Sequence, residues 1–337
     1  MPSIDVVVVC YQYGRYLRDC VTSIASQGVA DLRVLIIDNG STDDSLEVAK
    51  ELARCDERIT IVHHPKNLGQ KHAYNEAIDW AASRYFIIVD ADDVLAQGAL
   101  SRAVSVLDRA PSIAFCYGPE YAIPFAPGCR PLPVDHHAQH DWMIETGVEF
   151  IQRACRQPIN PVGASCVVVR TDVQKRAGCY NPDLEHTDDL EMWLRLARLG
   201  SVARTEAVLA IRRVHQHQLT RYFDATYVRD CEERLAAFRC FFAGDGKSVP
   251  DAQALYRTVE RSLASKAYWS SWSHMVRGHR ATSVSLMKFA LAHRPSMALL
   301  PPLDWLARTE NLWERLTSCF TTSLQARRSA EREIKPL

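Results

Sequence analysis

The stretch YFIIVDADDVL, residues 85–95, joins five residues suited to a buried strand to three aspartates within four positions. Asp90, Asp92 and Asp93 therefore gather at one strand end, a concentration of negative charge that the fold alone does not need. Such acids either hold a positively charged group or form a solvated turn. The position of this strand within the fold distinguishes the two.

The chain before this stretch alternates between strand and helix patterns. The strands are predicted at 4–9, 32–38, 59–64 and 85–90, and the helices at 14–28, 40–52 and 69–83. Alternation at this interval predicts an α/β fold with a doubly wound, mostly parallel sheet flanked by helices. Ser41 or Thr42 is expected to cap the second helix. Ligands bind at the carboxyl ends of strands in such sheets, where Asp38 and Asp90 both lie.

The pattern changes after about residue 113. Further strands are predicted at 113–118, 165–170 and 206–215, an amphipathic helix at 188–200, and helices without strands at 225–242, 251–272 and 279–293. The predicted organisation is therefore an α/β domain over 1–222 and an α-helical C-terminal region over 223–337.

Composition excludes several classes of protein. The 337 residues are 47% hydrophobic, and 40 basic residues balance 40 acidic ones, so a surface that coats nucleic acid is not expected. Eleven cysteines form no CxxC pair, and without a signal-peptide pattern they indicate reduced thiols in the cytoplasm. Because no apolar run reaches about 18 residues, we expect a soluble protein or one attached to a membrane from outside.

Five segments in order resemble the glycosyltransferases of family 2, which have the GT-A fold of nucleotide-diphospho-sugar transferases. They are VVVVCYQYGRYLRDCVTSI (6–24), VLIIDNGSTDDS (34–45), NLGQKHAYNEA (67–77), FIIVDADD (86–93) and DDLEMW (188–193). The resemblance covers roughly residues 3–220 and leaves the helical C-terminus outside it. It implies a GT-A domain over 1–222 and transfer of a sugar to an acceptor hydroxyl.

The Asp90–Asp93 cluster is interpreted through that resemblance. A phosphatase that forms an aspartyl-phosphate also places DxD at a strand end, but normally after its first strand, and a calcium loop would need glycine at its sixth position. Carboxylate oxygens suit Mg²⁺ or Mn²⁺ bridged to substrate phosphates. The resemblance implies that Asp92 is the direct ligand and that Asp90 reaches the ribose or the metal. His215 is expected to contact the metal or the departing diphosphate, although a lone histidine also occurs as a packing residue.

The nucleotide site rests on Asp38 and the loop after the first strand. In the family the acid equivalent to Asp38 hydrogen-bonds the nucleotide base, which favours a uracil or thymine and hence a UDP- or dTDP-sugar. The remaining donor contacts implied are Cys10, Tyr11, Gln12, Asn67, Gly69, Lys71, Asp90 and Ala91. The Cys-Tyr-Gln-Tyr loop departs from the usual Pro-Thr-Tyr-Asn type, and Asp38 is alternatively a simple turn acid.

Asp188 and Asp189 open the helix at 188–200. Acids there also stabilise a helix through its dipole, so a purely structural role is the alternative. The family has Glu-Asp at this place with the aspartate as general base, so alignment on Trp193 assigns the base to Asp189, with Asp188 in place of the glutamate. Glu185 and His186 are lesser candidates. The resemblance thus implies an inverting enzyme acting on a saccharide or lipid-linked saccharide in surface polysaccharide or glycolipid assembly.

Some features leave alternatives open. Arg212, Arg213 and Arg221 would neutralise phosphate or lie on the surface, and DHHAQH (135–140) fits an acceptor-side loop better than a zinc site. The segment 296–316 is either core or an interfacial helix that gives peripheral contact with the inner face of the membrane. The rival functions are an aspartyl-phosphate hydrolase and a sugar-nucleotide-binding protein that has lost catalysis.

Overall fold

Four parallel strands form the half of the sheet that carries the strand-end acids. The computed structural model describes residues 3–124, 141–215 and 227–306. Within these residues the strands are β1 (Ile4–Cys10), β2 (Leu32–Asp38), β3 (Ile59–His63), β4 (Tyr85–Asp90), β5 (Val94–Leu95), β6 (Ile113–Tyr117), β7 (Glu120–Pro124), β8 (Met143–Glu145), β9 (Val167–Arg170), β10 (Ser201–Arg204) and β11 (Ala210–Val214). All seven residues of β1 are buried, as expected of a central strand covered on both faces.

The main sheet has eight strands in the order β3-β2-β1-β4-β9-β6-β10-β8. The pairs β1–β2, β1–β4, β2–β3 and β6–β10 are parallel, whereas β9 runs antiparallel to both β4 and β6, and β8 antiparallel to β10. The register places Cys10 beside Asp38 and Val9 beside Asp90. The prediction of a mostly parallel α/β sheet is confirmed, and its acids lie at one edge.

A second, three-stranded sheet has the order β5-β11-β7. Ile211 of β11 pairs with Val94 of β5, immediately after the aspartate cluster. The strand predicted at 206–215 is shorter than expected, since it spans only Ala210–Val214. Its pairing with β5 carries the residue that follows it, His215, back to Asp92.

Helices flank the sheet and continue into the C-terminal region. They are α1 (Gly14–Ala25), α2 (Ser45–Cys55), α3 (Gln70–Trp80), α4 (Ala99–Arg109), α5 (Gly147–Arg156), α6 (Thr171–Ala177), α7 (Asp188–Arg198), α8 (Tyr227–Ala243), α9 (Ala252–Val276), α10 (Arg280–His293) and α11 (Leu303–Leu306). Short 3₁₀ helices cover Ala164–Cys166, Asp245–Ser248 and Pro295–Ala298. Helices α9 and α10 pack against each other as an antiparallel hairpin.

The predicted cap of α2 is wrong. The helix begins at Ser45, and the carboxylate of Asp43 accepts hydrogen bonds from the Ser45 backbone N–H (3.1 Å) and from its hydroxyl (2.5 Å). Ser41 and Thr42 bind Gln12 instead. The two hydroxyls therefore tie the first loop to the second, because the strand-end loops lie side by side.

The C-terminal helices have mixed exposure. Trp269 of α9 is partly buried and its indole N–H donates to the Pro302 carbonyl at 3.1 Å. The segment 296–316 is not a single helix in its described part, since Pro301 and Pro302 separate a 3₁₀ turn from α11. Over the described ranges, no helix has both the length and the apolar character that crossing a bilayer requires.

Candidate active site

Ser165 fixes the shape of the turn that carries the aspartates. The Asp90 N–H donates to the Ser165 hydroxyl at 3.1 Å, and that hydroxyl donates to Asp93 Oδ2 at 2.7 Å. The Asp93 N–H in turn donates to the Asp90 carbonyl at 2.9 Å. Asp93 and Ser165 therefore hold the turn that carries Asp90 and Asp92. No motif in the sequence indicated Ser165.

The structure brings His215 and Asp92 together although 123 residues separate them. His215 Nε2 lies 3.0 Å from Asp92 Oδ2, and both side chains are buried. The imidazole stacks on the Tyr16 ring at 5.0 Å between centroids and meets Tyr13 edge-on at 5.5 Å. Two aromatic side chains of α1 and its preceding loop thus fix the orientation of His215 at the aspartate cluster.

The residues that the sequence assigned to a metal fit a hard divalent cation in their chemistry. His215 contacts Asp92, and Asp90 lies two residues earlier on the same turn. Carboxylate oxygens and an imidazole are donors that Mn²⁺ or Mg²⁺ accepts when it is bound together with phosphate. Burial, and secondarily the charge of Asp92, raises the pKa of Asp90 to about 7. Within the described ranges no group of three His, Cys, Asp or Glu side chains is placed so that it could hold a metal ion. A cation site here is therefore a prediction that rests on the chemistry of these donors.

Tyr74 of α3 holds the other side of Asp90. Its buried hydroxyl donates to Asp90 Oδ1 at 2.8 Å and accepts from Gln70 Nε2 at 2.8 Å. The tyrosine lies four residues after Gln70, one helical turn along α3, within the NLGQKHAYNEA segment. Sequence reasoning placed that segment at the donor site but did not single out this residue.

Asp38 is fully buried at the end of β2, and one of its two carboxylate oxygens accepts no hydrogen bond from the described residues. Its Oδ2 pairs with His63 Nδ1 at 2.7 Å, whereas its Oδ1 is buried and finds no hydrogen-bond partner among the described residues. Burying a carboxylate oxygen without a hydrogen-bond partner costs free energy. Its presence at a strand end therefore indicates that a bound ligand donates a hydrogen bond to it. His63, at the end of β3, was not predicted to belong to the site.

The loop after β1 lies beside Asp38. The Cys10 side chain is fully buried, whereas Tyr11 is 41% exposed. Gln12 has a left-handed backbone (φ 62°), held by the Ser41 hydroxyl, which accepts from its N–H at 3.0 Å. The Cys10 thiol is thus part of the core, and the loop offers the cleft its main chain and the exposed tyrosine.

Asn39 fastens the loop that contains Asn67 and Gly69. Its Nδ2 donates to Asn67 Oδ1 and to the Gly69 carbonyl, both at 3.1 Å, and its Oδ1 accepts from the Leu68 N–H at 3.0 Å. The same oxygen lies 3.0 Å from His64 Nδ1. Gly69 has φ 90°, a conformation that disfavours a side chain. The segment is therefore rigidly attached next to Asp38.

Asp189 lies at the start of α7, where Asn160 holds it. Asn160 Nδ2 donates to Asp189 Oδ2, and the Leu190 N–H donates to Oδ1 at 2.7 Å. Burial, and secondarily the charge of Asp188, raises the pKa of Asp189 to about 7. A carboxylate with a pKa near neutral is suited to taking a proton from a hydroxyl at physiological pH. Asn160 stands in a loop without periodicity, and no sequence pattern indicates its role.

The two groups of acids lie close enough to influence each other. Asp188 contributes to the raised pKa of Asp90, and both Asp188 and Asp90 raise the pKa of the buried Tyr180. Asn75 of α3 exchanges two hydrogen bonds with the Tyr180 backbone, at 2.7 and 3.3 Å. Lys71 contacts the Glu185 carbonyl at 3.2 Å and lowers the pKa of Asp188, although burial raises it overall. The donor-side helix α3 is thus joined directly to the loop before α7.

Helix α8 supports the loops on either side of Asp189. The Thr187 hydroxyl donates to the Glu233 carbonyl at 2.8 Å, and the His186 N–H donates to the Glu233 carboxylate at 3.3 Å. Arg234 Nη1 donates to the Pro158 carbonyl at 3.2 Å, two residues before Asn160. The C-terminal region therefore forms the back of the site.

Other predicted residues have different surroundings. Arg212 pairs with Glu120 at 2.7 Å, and Arg213 lies 3.3 Å from Asp19 and over the Tyr16 ring, so both are engaged in structural contacts. Glu185 pairs with Arg229. Arg221 and the histidine-rich stretch 135–140 lie outside the described residues.

The fold is similar to that of solved glycosyltransferases with GT-A architecture. The crystal structure of Staphylococcus aureus TarS 1–349 in complex with UDP-GlcNAc superposes with a TM-score of 0.65 at 15% identity, covering 96% of this chain and 92% of that one. The mannosyltransferase PcManGT from Pyrobaculum calidifontis, in complex with GDP-Man and Mn²⁺, gives a TM-score of 0.59 at 18% identity, covering 96% and 86%.

Residues 5–144 match the family described as Glycosyl transferase family 2. An uncharacterised glycosyltransferase of Haemophilus influenzae is 25% identical over 224 residues, 66% of this chain and 69% of that protein. TuaG of Bacillus subtilis, a glycosyltransferase named for teichuronic acid biosynthesis, is 25% identical over 203 residues, 60% of this chain and 75% of its own length. The protein is therefore a glycosyltransferase, as the motifs predicted.

Proposed function

We propose that this protein is an inverting, metal-dependent glycosyltransferase that moves a sugar from a UDP-linked donor to an acceptor hydroxyl. The observation that carries the proposal is Asp189, a buried carboxylate with a pKa near neutral, in the same cleft as the strand-end acids Asp90 and Asp92. Asp90 and Asp92 suit a cation bound to the diphosphate of the sugar donor. Asp189 suits removal of a proton from the acceptor hydroxyl.

The preference for uracil rests on Asp38. Because His63 occupies Oδ2 at 2.7 Å, only Oδ1 is left to accept from a base. Uracil presents a single ring N–H, which one acceptor satisfies, and thymine presents the same group. Guanine presents two adjacent donors and would need both carboxylate oxygens. The GDP-mannose bound by PcManGT is therefore not the donor that we assign to this chain.

Asp92 and His215, with Asp90, would hold a divalent cation against the donor. The chemistry that such a cation supplies is neutralisation of charge on the departing diphosphate. The chain itself excludes water from this side by burying Asp92 and His215 against Tyr16. Tyr74 orients Asp90 through its hydroxyl.

Asp189 would act on the acceptor. As the acceptor oxygen attacks the anomeric carbon, its proton moves to the carboxylate of Asp189, and the electron pair of the breaking C–O bond leaves with the diphosphate. A single displacement from the opposite face inverts the configuration at that carbon. Asn160 keeps the carboxylate oriented through its amide N–H.

The acceptor that we infer is a saccharide or lipid-linked saccharide used to build surface polysaccharide or glycolipid. Support comes from relatives such as TuaG, named for teichuronic acid biosynthesis, and a teichoic acid poly(glycerol phosphate) polymerase of Staphylococcus epidermidis that is 32% identical over 102 residues.

The test is a donor panel assayed with Mn²⁺, Mg²⁺ or EDTA. We expect release of UDP from one UDP-sugar, dependence on the cation, and a product whose anomeric configuration by NMR is opposite to that of the donor. Turnover with a GDP-sugar alone would contradict the uracil assignment. Release of inorganic phosphate without an acceptor would favour the hydrolase, and nucleotide binding without turnover would favour a binding protein.

Asp92→Asn tests the cation site by binding rather than by activity. The asparagine can still contact His215, so we expect a folded protein whose affinity for UDP no longer increases when Mn²⁺ is added. Isothermal titration with and without EDTA measures this. A variant that gains UDP affinity from Mn²⁺ as the parent does would rule out Asp92 as a ligand.

A further inference from the structure

The hairpin of α9 and α10 has an unusual charge distribution. Between Glu260 and Asp304, residues 261–303 contain no acidic residue, whereas the whole chain has 40 acidic and 40 basic ones. Six basic residues lie in this segment: Arg261, Lys266, Arg277, Arg280, Lys288 and Arg294. Arg261, Arg280 and Lys288 are exposed. Lys266 lies 3.6 Å from Asp230 of α8, and the exposed charges that the segment itself contributes are all positive.

The same segment exposes large apolar side chains. Leu299, Leu300 and Leu303 are 87%, 75% and 65% exposed, and Trp272 and Val276 of α9 are 51% and 44% exposed. Leucines exposed to this degree in consecutive positions are disfavoured on a surface that faces only water.

A hydrogen bond joins the exposed leucine segment to α9. Trp269, Trp272 and Val276 follow a spacing of three and seven residues, so they share one face of α9. The Trp269 indole N–H donates to the Pro302 carbonyl, which places Leu303 next to this face. We call this the hairpin surface: Trp269, Trp272, Val276, Leu299, Leu300 and Leu303 with the surrounding basic residues.

We propose that the hairpin surface docks the protein on a membrane that contains anionic lipid. Exposed leucine and tryptophan insert between headgroups, while arginine and lysine pair with the negative surface, and the two effects add. An anionic polysaccharide would use the basic residues but has no use for the three leucines. The absence of acidic residues from 261–303 gives the surface the charge complementarity that an apolar protein partner would not need. The proposal does not rest on the transfer reaction.

The experiment is vesicle flotation of the full chain. We compare vesicles of phosphatidylcholine that contain about 30% phosphatidylglycerol with vesicles of pure phosphatidylcholine, each at low and at high salt. We expect binding to the anionic vesicles only, weakened by salt. Leu299→Ser/Leu300→Ser/Leu303→Ser should weaken binding at least about tenfold, because these side chains bury apolar area in the bilayer. Arg280→Glu/Lys288→Glu should also weaken it.

Matched controls lie on the N-terminal part. Tyr121→Ser/Ile144→Ser/Val148→Ser removes three exposed apolar residues, and Lys175→Glu/Arg176→Glu reverses two exposed charges. Both should bind vesicles as the parent does, and all variants should keep the thermal midpoint of the parent.

Four outcomes would overturn the proposal. They are failure of the parent to bind anionic vesicles, binding by the leucine variant equal to that of the parent, tight binding of soluble poly(glycerol phosphate) that ignores the leucines, and a dimer by light scattering that the leucine variant abolishes. The third would assign the surface to a polyanion and the fourth to a second copy.

Discussion

A single substitution tests the contribution of the Asp189 carboxylate to transfer. In Asp189→Asn the amide oxygen can still accept from Asn160, while the contact with the Leu190 N–H is lost together with the proton acceptor. A positioned base contributes about 10²–10⁴-fold, so we expect kcat to fall at least about a hundredfold with UDP affinity unchanged. Initial rates at saturating substrates and titration with UDP measure the two.

Asp188→Asn is the matched variant for that measurement. It removes a neighbouring carboxylate at the same helix terminus, so any effect through the helix dipole should be the same for both. We expect a smaller loss of kcat than for Asp189→Asn. Near-parental transfer by a folded Asp189→Asn would remove Asp189 from the mechanism.

The same carboxylate should destabilise the fold at high pH. Because burial raises the pKa of Asp189 to about 7, the folded state binds its proton more tightly than the unfolded state does. The free energy of unfolding should therefore fall as pH rises from about 4 to about 7. The stability of Asp189→Asn relative to the parent should therefore increase by about 1–3 kcal/mol between pH 5 and pH 8.

Urea unfolding at pH 5, 6, 7 and 8 measures this difference. Asp79→Asn, at an exposed position of α3, is the control and should follow the parent at every pH. A difference for Asp189→Asn that does not grow with pH would show that the carboxylate has the same proton affinity folded and unfolded.

The free Oδ1 of Asp38 gives a second test at this scale. Asp38→Ala should weaken UDP by about 1–3 kcal/mol, since the base N–H loses its buried acceptor. His63→Ala should cost less, because His63 contacts only the other oxygen. UDP affinity is measured by titration, and equal losses from both variants would mean that Asp38 acts through its pairing with His63.

At the scale of the element, Asn39 joins the end of β2 to the start of α3. Its side chain is buried and makes hydrogen bonds at both its nitrogen and its oxygen. Asn39→Ala leaves several of these partners unsatisfied, so we expect a loss of about 2–4 kcal/mol in the free energy of unfolding. The freed 67–69 loop should also raise KM for the donor.

Asn39→Asp separates the two ends of that side chain. It keeps the acceptor for the Leu68 N–H but cannot donate to Asn67 and Gly69. We expect an intermediate loss of stability by urea unfolding. An Asn39→Ala variant with parental stability and KM would mean that the loop is held by other contacts.

The first four strands could be predicted because their apolar runs alternate with helical spacing, and this local signal agrees with the fold. Strand β10, SVAR, was missed since it has only two apolar residues and depends on its neighbours for pairing. The antiparallel direction of β9 has no local signal at all. The direction of β9 depends on the strands β4 and β6 on either side of it, so it is determined by the whole sheet.

For the molecule as a whole, the acids of the cleft were predictable and their supports were not. Asp38, Asp90, Asp92, Asp188 and Asp189 fall in motifs with fixed order, so the sequence indicates them. Tyr74, Asn160 and Ser165 each support an acid that is distant in sequence, and no spacing records such a contact. The roles of all these residues stay predictions until the variants are measured.

The contacts of α8 have a consequence for how such an enzyme could be recombined. Thr187 and His186 contact Glu233, and Pro158 contacts Arg234, across the domain boundary that the sequence predicts near residue 222. A hybrid could take residues 1–222 from one protein and the C-terminal helices from a relative. The surface of α8 would then not match the loops that support Asp189. Donor recognition would survive the exchange and transfer would not. In constructing a hybrid, the loops at 158–160 and 185–189 should therefore be taken from the same protein as α8.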